Sequence, residues 1–226
     1  MTPTRRAVLT AVADALPDPR RRGRPVRVAV DGVDGSGKTW FADELAEVLR
    51  ERGHEVVRVS VDGFHRPRAE RYARGAGSPE GFYRDSYDYA RLRTDVLDPF
   101  GPGGDRVYRG AAHDVATDAH LDVAPRRAGE HAVLVVDGIF LHRDELREHW
   151  DRSVYLAVPF AVSAARMAVR DGADADPEHP RNLRYVEGQR MYHRECDPAQ
   201  RADVVVDNSD LDAPVVVRGP ARPPLR

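Results

Sequence analysis

Residues 32–39 of the chain are GVDGSGKT, and this octet contains the only lysine among 226 residues, whereas the chain has 34 arginines. Arginine carries its charge on a broad planar fork and lysine on a compact ammonium group, so a site that keeps lysine in this chain must be narrow. The spacing of Gly32 and Gly37-Lys38-Thr39 predicts a loop whose backbone N–H groups wrap the phosphates of a nucleoside triphosphate. In such a loop Lys38 reaches the outer phosphates and the Thr39 hydroxyl binds magnesium.

The sequence on either side of the octet supports this prediction. Residues 26–31 (VRVAVD) predict a buried β-strand, and residues 40–52 (WFADELAEVLRER) have the apolar spacing of a helix. A strand, a glycine loop and a helix N-terminus in this order form an anion site, to which the helix adds its partial positive charge. The residues predicted to bind the nucleotide are Gly32, Asp34, Gly35, Ser36, Gly37, Lys38, Thr39 and Trp40.

Length and composition narrow the function classes. With 226 residues and 25.2 kDa, the chain is long enough for one α/β domain with a substantial core, so we expect a single domain over residues 1–226. A net charge of −2 argues against a nucleic-acid partner, because nucleic-acid-binding domains usually have a basic excess. The single cysteine, Cys196, cannot form an internal disulfide, and no apolar run approaches the roughly 20 residues of a membrane span. These features predict a cytoplasmic protein without a membrane partner.

Residues 1–25 combine an apolar stretch with two groups of arginines. Arg5 and Arg6, followed by AVLTAVADAL, faintly resemble a twin-arginine export signal. The apolar part is short, however, contains Asp14 and continues into PDPRRRGRP instead of a small-residue cleavage site. We therefore predict an amphipathic helix packed on the domain, followed by a solvated basic linker at residues 20–24.

Five short runs rich in valine predict the strands of a sheet. Each run is bounded by turn residues, and helical stretches fall between several of them. This alternation predicts an α/β fold of the P-loop NTPase type, with a parallel sheet of about five strands flanked by helices and with ligands at the carboxyl ends of the strands. The predicted strands are residues 26–31, 55–61, 132–136, 153–158 and 203–206.

Three of the predicted strands run directly into an aspartate: Asp31, Asp62 and Asp137. Asp31 precedes the glycine loop, which favours a structural role. In phosphate-loop proteins a carboxylate at the end of a hydrophobic strand, here VLVVDG, assists magnesium, which assigns Asp137 to the metal together with Thr39. Asp62 is then free to accept the proton of an attacking hydroxyl. Capping of the strand end is the alternative for each aspartate.

Residues 66–114 differ in character from the flanking sequence, because they are loop-rich with interleaved tyrosine, histidine and arginine. Such groups at the open end of a sheet suit recognition of a small polar molecule with a ring. The alternative is a surface insertion with ordinary turns. Since the segment lies between two strands whose ends meet at the glycine loop, we predict a substrate-binding insertion.

Residues 166–195 form a second distinctive segment, which is rich in arginine. Phosphoryl transfer needs positive charge on the γ-phosphate as it moves, because positioning and electrostatics do most of the work. We therefore predict a lid here. Surface solvation is the alternative for any single arginine in a chain with 34 of them. The candidates are Arg166 and Arg170, four residues apart on one helix face, followed by Arg181, Arg184, Arg190 and Arg194.

Several of these segments together resemble the uridine-cytidine kinase branch of the P-loop kinases, whose relatives include phosphoribulokinase and pantothenate kinase. The resemblance covers about residues 26–208, and its most specific parts are DGVDGSGKT, SVDGFH, VLVVDGIF, RMAVRD and ECDPAQRADVVVDN. It implies ATP and Mg²⁺ as cofactors and Asp62 as the base that takes the proton of a nucleoside 5′-hydroxyl. Asp137 stands where the family has a glutamate, and Arg166 and Arg170 match the first arginines of the family's lid.

The resemblance is weaker in the acceptor site. The family's tyrosine and histidine that contact the pyrimidine correspond in spacing to Tyr108 and His113. Its Asn-aromatic-Asp-His-Pro run, whose aspartate binds the ribose, is replaced by GFYRDSYD, which leaves Asp85 for that contact. The lid's Arg-Gly-Arg is replaced by GADADPEHPR, and DGFH followed by Gly-x-x-Ser-Pro-Glu leans toward the pantothenate kinase and sugar-kinase-like relatives. The predicted acceptor-binding residues are Phe64, His65, Asp85, Tyr108, His113 and Arg190.

We therefore predict an ATP-dependent kinase that phosphorylates the 5′-hydroxyl of uridine or cytidine. The alternatives are a kinase of another small alcohol, such as pantothenate or a sugar, and a non-catalytic nucleotide-binding protein. A GTPase would need a guanine-selecting Asn-Lys-x-Asp run, for which the chain has no second lysine. The predicted catalytic residues are Asp62, Lys38, Arg166 and Arg170.

Two further expectations complete the prediction. A metal-hydrolase interpretation rests on the spacing of His193 and Cys196, which have no second ligand pair and are more typical of a structural role. Relatives of the resembled branch are often oligomeric, which leaves a homo-oligomer as an open alternative to a monomer. The expected partner is a small-molecule substrate.

Overall fold

The computed structural model describes residues 1–219 and is built around a central β-sheet of six strands. Two further sheets of two short strands each lie between β2 and β7 in the chain. The strands, in chain order, are β1 (Val26–Gly32), β2 (Val56–Ser60), β3 (Val107–Tyr108), β4 (His113–Asp114), β5 (Ala119–His120), β6 (Arg126–Arg127), β7 (Val133–Gly138), β8 (Arg152–Ala157), β9 (Val204–Asp207) and β10 (Val215–Arg218).

The central sheet has the spatial order β10-β9-β8-β1-β7-β2. Strand β1 pairs in parallel with β7 and β8, β7 pairs in parallel with β2, and β8 with β9, so the carboxyl ends of these five strands share one edge. The predicted parallel α/β sheet is confirmed, and its five strands agree with the predicted runs to within two residues. Strand β10, antiparallel to β9, was missed because Val215 and Val217 are more than half exposed and give no buried-strand pattern.

Helices cover both faces of the sheet. In the part of the chain that the structure describes, no helix is long and apolar enough to cross a membrane. Turns of 3₁₀ helix occur at Val61–Phe64 and Arg147–His149, and a π turn at Arg93–Leu97. The α-helices are α1 (Pro3–Asp14), α2 (Pro19–Arg22), α3 (Lys38–Glu51), α4 (Arg68–Arg71), α5 (Pro79–Asp85), α6 (Tyr89–Leu92), α7 (Phe160–Asp171), α8 (Leu183–Cys196) and α9 (Pro198–Arg201).

One face of the sheet is covered by α3, with α1 packed on it. Phe41 and Leu45 of α3 are fully buried against β1 and β7, and Leu9 and Val12 of α1 belong to the same cluster. Burial of each such side chain stabilises the fold by about 1.5–3 kcal/mol. This packing holds the N-terminus of α3 at the carboxyl end of β1.

Arg5 connects α1 to the glycine loop. Its Nε pairs with Glu44 of α3, and its Nη1 donates to Asn208 Oδ1 at 3.2 Å. The Asn208 amide in turn donates to the backbone oxygen of Ser36 at 2.7 Å. Arg5, which in the sequence resembles part of an export signal, is thus buried, and through Asn208 it stabilises the backbone of the glycine loop.

The opposite face is covered by residues 66–114, which are more helical than the predicted loop-rich insertion. Three short helices, α4 to α6, carry aromatic and aliphatic side chains into the core beneath the sheet. The segment therefore contributes to the core as well as to a cavity, because its rings are too apolar to remain in solvent. Its buried side chains include Phe82, Tyr83, Leu92, Leu97 and Phe100.

The predicted solvated linker at residues 20–24 is only partly solvated. Its first part is the short helix α2, and Arg24 pairs through both Nη atoms with Asp151. Burial raises the pKa of Asp151, but hydrogen bonds from Arg24 and from the Arg27 N–H outweigh it, so this pKa lies below its ordinary value. The basic segment is therefore attached to the start of β8 by an ion pair that the sequence pattern did not predict.

Candidate active site

The glycine loop between β1 and α3 has a backbone that requires its glycines. Gly35 and Gly37 have φ angles of 67° and 85°, in the left-handed region that favours glycine. A Cβ on Gly35 would lie only 2.8 Å from the backbone oxygen of Ser163. The N–H groups of both glycines have no backbone acceptor within residues 1–219, which leaves them available to an anion. Trp40, predicted to bind nucleotide as well, has an exposed fraction of 75%.

The first two residues of α3 carry polar groups next to the loop. Lys38 Nζ donates to the backbone oxygen of Val33 at 2.8 Å, so the ammonium group is folded over the loop. Thr39 Oγ1 donates to Asp137 Oδ2 at 2.8 Å, and Arg58 Nη2 donates to Asp137 Oδ1 at 2.9 Å. The two residues predicted to bind magnesium, Thr39 and Asp137, are therefore in direct contact.

A larger metal site does not occur in the described residues, where no three His, Cys, Asp or Glu side chains are placed to hold an ion. This is compatible with magnesium bound beside a nucleotide, because Mg²⁺ keeps several waters and uses one or two protein groups plus phosphates. His193 Nε2 lies 2.8 Å from the Tyr155 hydroxyl, and Cys196 Sγ lies 3.4 Å from that of Tyr83. His193 and Cys196 thus have separate partners.

Asp34 of the loop is held by hydrogen bonds to side chains of α7 and α8. Its N–H donates to Gln189 Oε1 at 2.7 Å, while Gln189 Nε2 donates to Asp34 Oδ2 at 3.3 Å. The Ser163 hydroxyl donates to the Asp34 backbone oxygen. Burial raises the pKa of Asp34, and nearby Asp62 acts in the same direction, whereas Lys38 opposes the rise. The position of the loop is therefore coupled to α7 and α8, which contribute most of the predicted lid region at residues 166–195.

Asp31, at the end of β1, is fully buried and hydrogen-bonded to several parts of the fold, as expected for a structural residue. Its Oδ1 accepts the N–H of Gly32 at 2.7 Å, and its Oδ2 accepts the Tyr192 hydroxyl. The same Oδ2 lies 2.7 Å from His142 Nδ1 and accepts the His142 N–H at 3.2 Å. The carboxylate therefore joins β1, the segment after β7, and α8 beneath the glycine loop.

Asp62 lies in the 3₁₀ turn that follows β2. Its N–H is held by Ser60 Oγ at 3.3 Å, and its Oδ1 accepts the Tyr87 hydroxyl at 2.9 Å. Burial raises the pKa of Tyr87 well above its ordinary value, and Asp62 adds to the shift, so the phenol remains protonated and donates. The second oxygen of Asp62 has no recorded donor in the described residues, which leaves it available to a bound hydroxyl.

A cavity of about 570 Å³ opens at this edge of the sheet. Its lining includes Asp34 of the glycine loop and Asp62 of the turn after β2, so both segments border one space. Its ring-bearing walls include Tyr72, Phe82, Tyr87 and Tyr185, and its charged walls include Asp34, Asp62, Asp171, Arg68, Arg71 and Arg184.

Comparison with known proteins finds relatives that are kinases. No protein-family profile matches the chain. The sequence is 26% identical over 199 residues to the uridine kinase of Leuconostoc citreum (strain KM20), an alignment that spans 81% of this chain and 87% of that protein. The fold is similar to that of a possible uridine kinase from Bacillus stearothermophilus, with a TM-score of 0.68, 22% identity, and coverage of 89% of this chain and 96% of the other. In sequence and fold the chain is thus similar to kinases of the uridine kinase-like branch of the P-loop kinases.

The predicted enzyme class, an ATP-dependent phosphotransferase with an alcohol acceptor, is confirmed. A third similar structure is a putative fructose transport system kinase from Silicibacter sp. TM1040, with a TM-score of 0.66 and 25% identity. That similarity covers 84% of this chain and 94% of the other. Because these relatives are named for different acceptors, the comparisons identify a kinase and leave its acceptor open.

Two predicted acceptor residues of the kinase adjoin the turn after β2. His65 lines the cavity, with Nδ1 2.8 Å from the backbone oxygen of Asp62 and its ring centroid 4.5 Å from that of Tyr87. Burial lowers the pKa of His65, so the imidazole is neutral at pH 7. Phe64 is fully buried in the core and does not reach the cavity, because its ring packs under the insertion.

Asp85 and Tyr108 of the kinase do not line the cavity. Asp85 Oδ2 accepts Arg74 Nε at 2.8 Å on the outer side of α5. Tyr108 packs edge-on against Phe100, with ring centroids 5.3 Å apart. Both residues have partners inside the insertion, so neither contacts the space beside Asp62.

His113 and Arg190 also lie outside the cavity walls. His113 is buried, and its Nε2 lies 3.3 Å from Asp118 Oδ1. Arg190 pairs with Glu178 of the segment between α7 and α8 and with Glu187 of its own helix. Ion pairing to these carboxylates raises the pKa of Arg190 and engages its guanidinium.

Arg166, the first predicted lid arginine, supports the glycine loop. Its Nη1 donates to the backbone oxygen of Gly35 at 3.2 Å, and its Nη2 donates to those of Asn208 and Ser209 at 2.9 and 2.7 Å. Burial lowers the pKa of Arg166. The side chain thus joins α7, the loop and the segment after β9, and its donors are engaged by backbone.

Arg170, the second lid arginine, does not line the cavity, although its neighbour Asp171 does. It pairs with Asp171 at 2.8 Å, and this hydrogen bond raises its pKa. The carboxylates of Asp34 and Asp62 add to the rise. Because Arg170 is largely exposed, it remains free to turn toward a bound phosphate.

Sequence reasoning missed several cavity residues of the kinase. Tyr87 holds Asp62, and Gln189 holds Asp34. Arg71 and Arg184 line the cavity although neither was assigned to the acceptor. The run GFYRDSYD was recognised as the replacement of an acceptor motif, and its second tyrosine, Tyr87, was the available clue.

Proposed function

We propose that the chain transfers the γ-phosphate of ATP to a hydroxyl of a small molecule bound in the cavity, with Asp62 as the proton acceptor. One observation carries the proposal: Asp34 of the glycine loop and Asp62, whose Oδ2 accepts no hydrogen bond from residues 1–219, line the same cavity of about 570 Å³. In the transfer the acceptor oxygen forms a bond to the γ-phosphorus while the bond to the ADP oxygen breaks. The acceptor proton goes to Asp62.

Tyr87 orients the base. Its hydroxyl occupies Oδ1 of Asp62 at 2.9 Å, so Oδ2 is the oxygen left to take the proton. The ring of His65 packs on that of Tyr87 and limits the movement of both. A base held in this way is positioned before the acceptor binds, which lowers the cost of reaching the reactive geometry.

The phosphates would be bound by the N–H groups of the glycine loop and by Lys38. Arg170 adds positive charge from the lid side, while Arg166 and Gln189 keep the loop in place. When bound, Mg²⁺ neutralises phosphate charge, and the residues that fit it are Thr39 and Asp137. Their contact at the start of α3 offers a hydroxyl and a carboxylate beside the loop, which are oxygen ligands of the kind this ion prefers.

The 5′-hydroxyl of a pyrimidine nucleoside remains the acceptor predicted from the resemblance. The relative from Leuconostoc citreum, which is named a uridine kinase, supports it. The rings of Tyr72, Phe82 and Tyr185 offer a surface on which a base can stack. Tyr108, which was expected to contact the pyrimidine, packs on Phe100 outside the cavity, and this argues against a nucleoside acceptor.

The test of the proposed function is formation of ADP and of a phosphorylated product by wild type and by Asp62→Asn. Wild type should turn over at least one alcohol, and the variant should lose most of kcat while binding ATP with nearly unchanged affinity. Hydrolysis of ATP that no alcohol accelerates would contradict the proposal. Loss of ATP binding in Asp62→Asn would instead assign Asp62 to the metal.

A further inference from the structure

The wall of the cavity formed by α4 and the start of α8 carries buried positive charge. Arg71 and Arg184 are 7% and 8% exposed, and both line the cavity. Their guanidinium carbons lie 5.4 and 4.7 Å from the centroid of the same ring, that of Tyr72. Arg68, one turn before Arg71, lines the same wall. Three cations thus converge on one region of the acceptor cavity.

Arg184 has no carboxylate partner among residues 1–219. Its Nη1 donates to the backbone oxygens of Ala76 and Gly75 at 2.5 and 3.5 Å, while its Nε and Nη2 donate to no group of residues 1–219. These two donors remain accessible to solvent, but a largely buried guanidinium without a counter-charge is destabilising, and such groups are usually paired. The unused donors of Arg184 therefore point to a ligand that brings negative charge.

Arg71 is only partly compensated. Its Nε donates to the backbone oxygen of Arg66 at 2.8 Å, and its Nη2 lies 3.7 Å from Asp118 Oδ1. That same oxygen accepts the N–H of Arg68 at 2.8 Å and lies 3.3 Å from His113 Nε2. A single carboxylate oxygen with several donors leaves the arginine wall with a net positive charge.

The lining of the cavity also includes acidic groups. Asp62 and Asp34 lie there, next to the glycine loop. His65 also lines the cavity, and its Nδ1 lies 2.8 Å from the backbone oxygen of Asp62. A small molecule can therefore present a hydroxyl to Asp62 and an anion to Arg71 at the same time.

We propose that the acceptor is an alcohol that carries an anionic group, a carboxylate or a phosphate, bound by Arg71 and Arg184. Arginine forks bind such groups through two parallel hydrogen bonds, which gives orientation as well as affinity. The inference rests on the proposed function and favours a hydroxy acid or a sugar phosphate over a neutral nucleoside. Arg71 and Arg184 are then the residues that select the acceptor.

The kinetic test compares acceptors in pairs that differ in the charged group. The pairs are pantothenate and panthenol, glycerate and glycerol, and fructose 6-phosphate and fructose, with uridine as the neutral nucleoside. For the natural class we expect kcat/KM to be about 10- to 100-fold higher for the anionic member, the effect of one or two charge-assisted hydrogen bonds. Whether the first two pairs or the third shows this preference distinguishes a carboxylate from a phosphate.

The variants Arg71→Gln and Arg184→Gln test the assignment to these side chains. Each should raise KM for the anionic acceptor about tenfold or more with little change in kcat, and Arg184→Lys should restore part of the affinity. Arg143→Gln is the matched control, since Arg143 is as buried and also stacks on a tyrosine but is paired with Glu145. It should lower thermal stability without changing the anion preference.

A binding experiment makes the inference independent of turnover. With the non-hydrolysable ATP analogue AMPPNP saturating the nucleotide site, glycerate and fructose 6-phosphate are added, and the melting temperature is compared between wild type and Arg71→Gln/Arg184→Gln. If either probe raises the melting temperature of wild type but not that of the double variant, the anion site is supported. This holds even if no acceptor is phosphorylated, because absent phosphorylation would contradict only the proposed kinase function. Equal response of both proteins overturns the inference. Rapid turnover of uridine that the arginine variants leave unchanged also overturns it and leaves the kinase function intact.

Discussion

Replacing Tyr87 with phenylalanine removes one hydrogen bond to the proposed base and leaves the ring in place. The phenol donates to Asp62 at 2.9 Å, and a hydrogen bond to a charged group contributes about 1.5–3 kcal/mol. Because the Asp62 side chain is exposed to the cavity, we use the lower end of this range, which corresponds to about a tenfold change in rate. We expect Tyr87→Phe to lower kcat about tenfold with a nearly unchanged KM for ATP, measured by steady-state ADP release.

Tyr89→Phe is the matched control for this experiment. Tyr89 is also buried in the insertion, but its hydroxyl has no hydrogen-bond partner within residues 1–219. Its replacement should leave kcat unchanged, whereas a purely structural effect of removing a buried hydroxyl would appear in both variants. A Tyr87→Phe enzyme with wild-type kcat, or one that loses stability and ATP affinity as its main defects, would refute the reasoning that Tyr87 orients the base.

Three further predictions concern the glycine loop and the ion pairs. Lys38→Arg should lower kcat at least about 100-fold, because a planar guanidinium is broader than the ammonium group that now lies 2.8 Å from the Val33 oxygen. Near-full activity in the same ADP assay would contradict this. Gln189→Ala removes two hydrogen bonds to Asp34 and should raise KM for ATP about tenfold, whereas an unchanged KM would mean that the loop holds its shape without α8. Burial raises the pKa of Asp151, but hydrogen bonds from Arg24 and the Arg27 N–H lower this pKa overall. The carboxylate therefore stabilises the fold above its unfolded-state pKa of about 3.9. This stabilisation is lost as the pH falls through the lower folded-state pKa. Asp151→Asn should therefore lower the melting temperature at pH 7, with a difference from wild type that shrinks below about pH 4, and a difference independent of pH would contradict the assignment.

The elements that depend on local pattern were predictable. Val-rich runs ended by aspartates indicated β1, β2 and β7, and the spacing around Lys38 indicated the loop between β1 and α3. The contact between Thr39 and Asp137 followed from strand order, since the carboxyl ends of neighbouring parallel strands meet at one edge. Strand β10 was not predictable in the same way, because an exposed edge strand has no continuous apolar face.

The acceptor side of the site was less predictable because it depends on which way side chains of a long insertion face. Tyr108 and His113 have a suggestive spacing, yet they pack against Phe100 and Asp118 within the insertion. Arg184 was one of six arginines in the lid segment, and only its burial beside Tyr72 separates it from Arg190, which is paired with glutamates. Such differences arise from tertiary packing, which a local pattern does not contain.

The most direct test of the central claim is ATP-dependent product formation by wild type and Asp62→Asn with one panel of alcohols, namely uridine, cytidine, pantothenate, glycerate, fructose and fructose 6-phosphate. The account predicts a phosphorylated product with at least one of these acceptors in wild type, and loss of most of that turnover in Asp62→Asn while ATP binding is retained. Wild-type turnover that the substitution leaves unchanged would contradict the role of Asp62. Binding of ATP without transfer to any alcohol would contradict the kinase function itself.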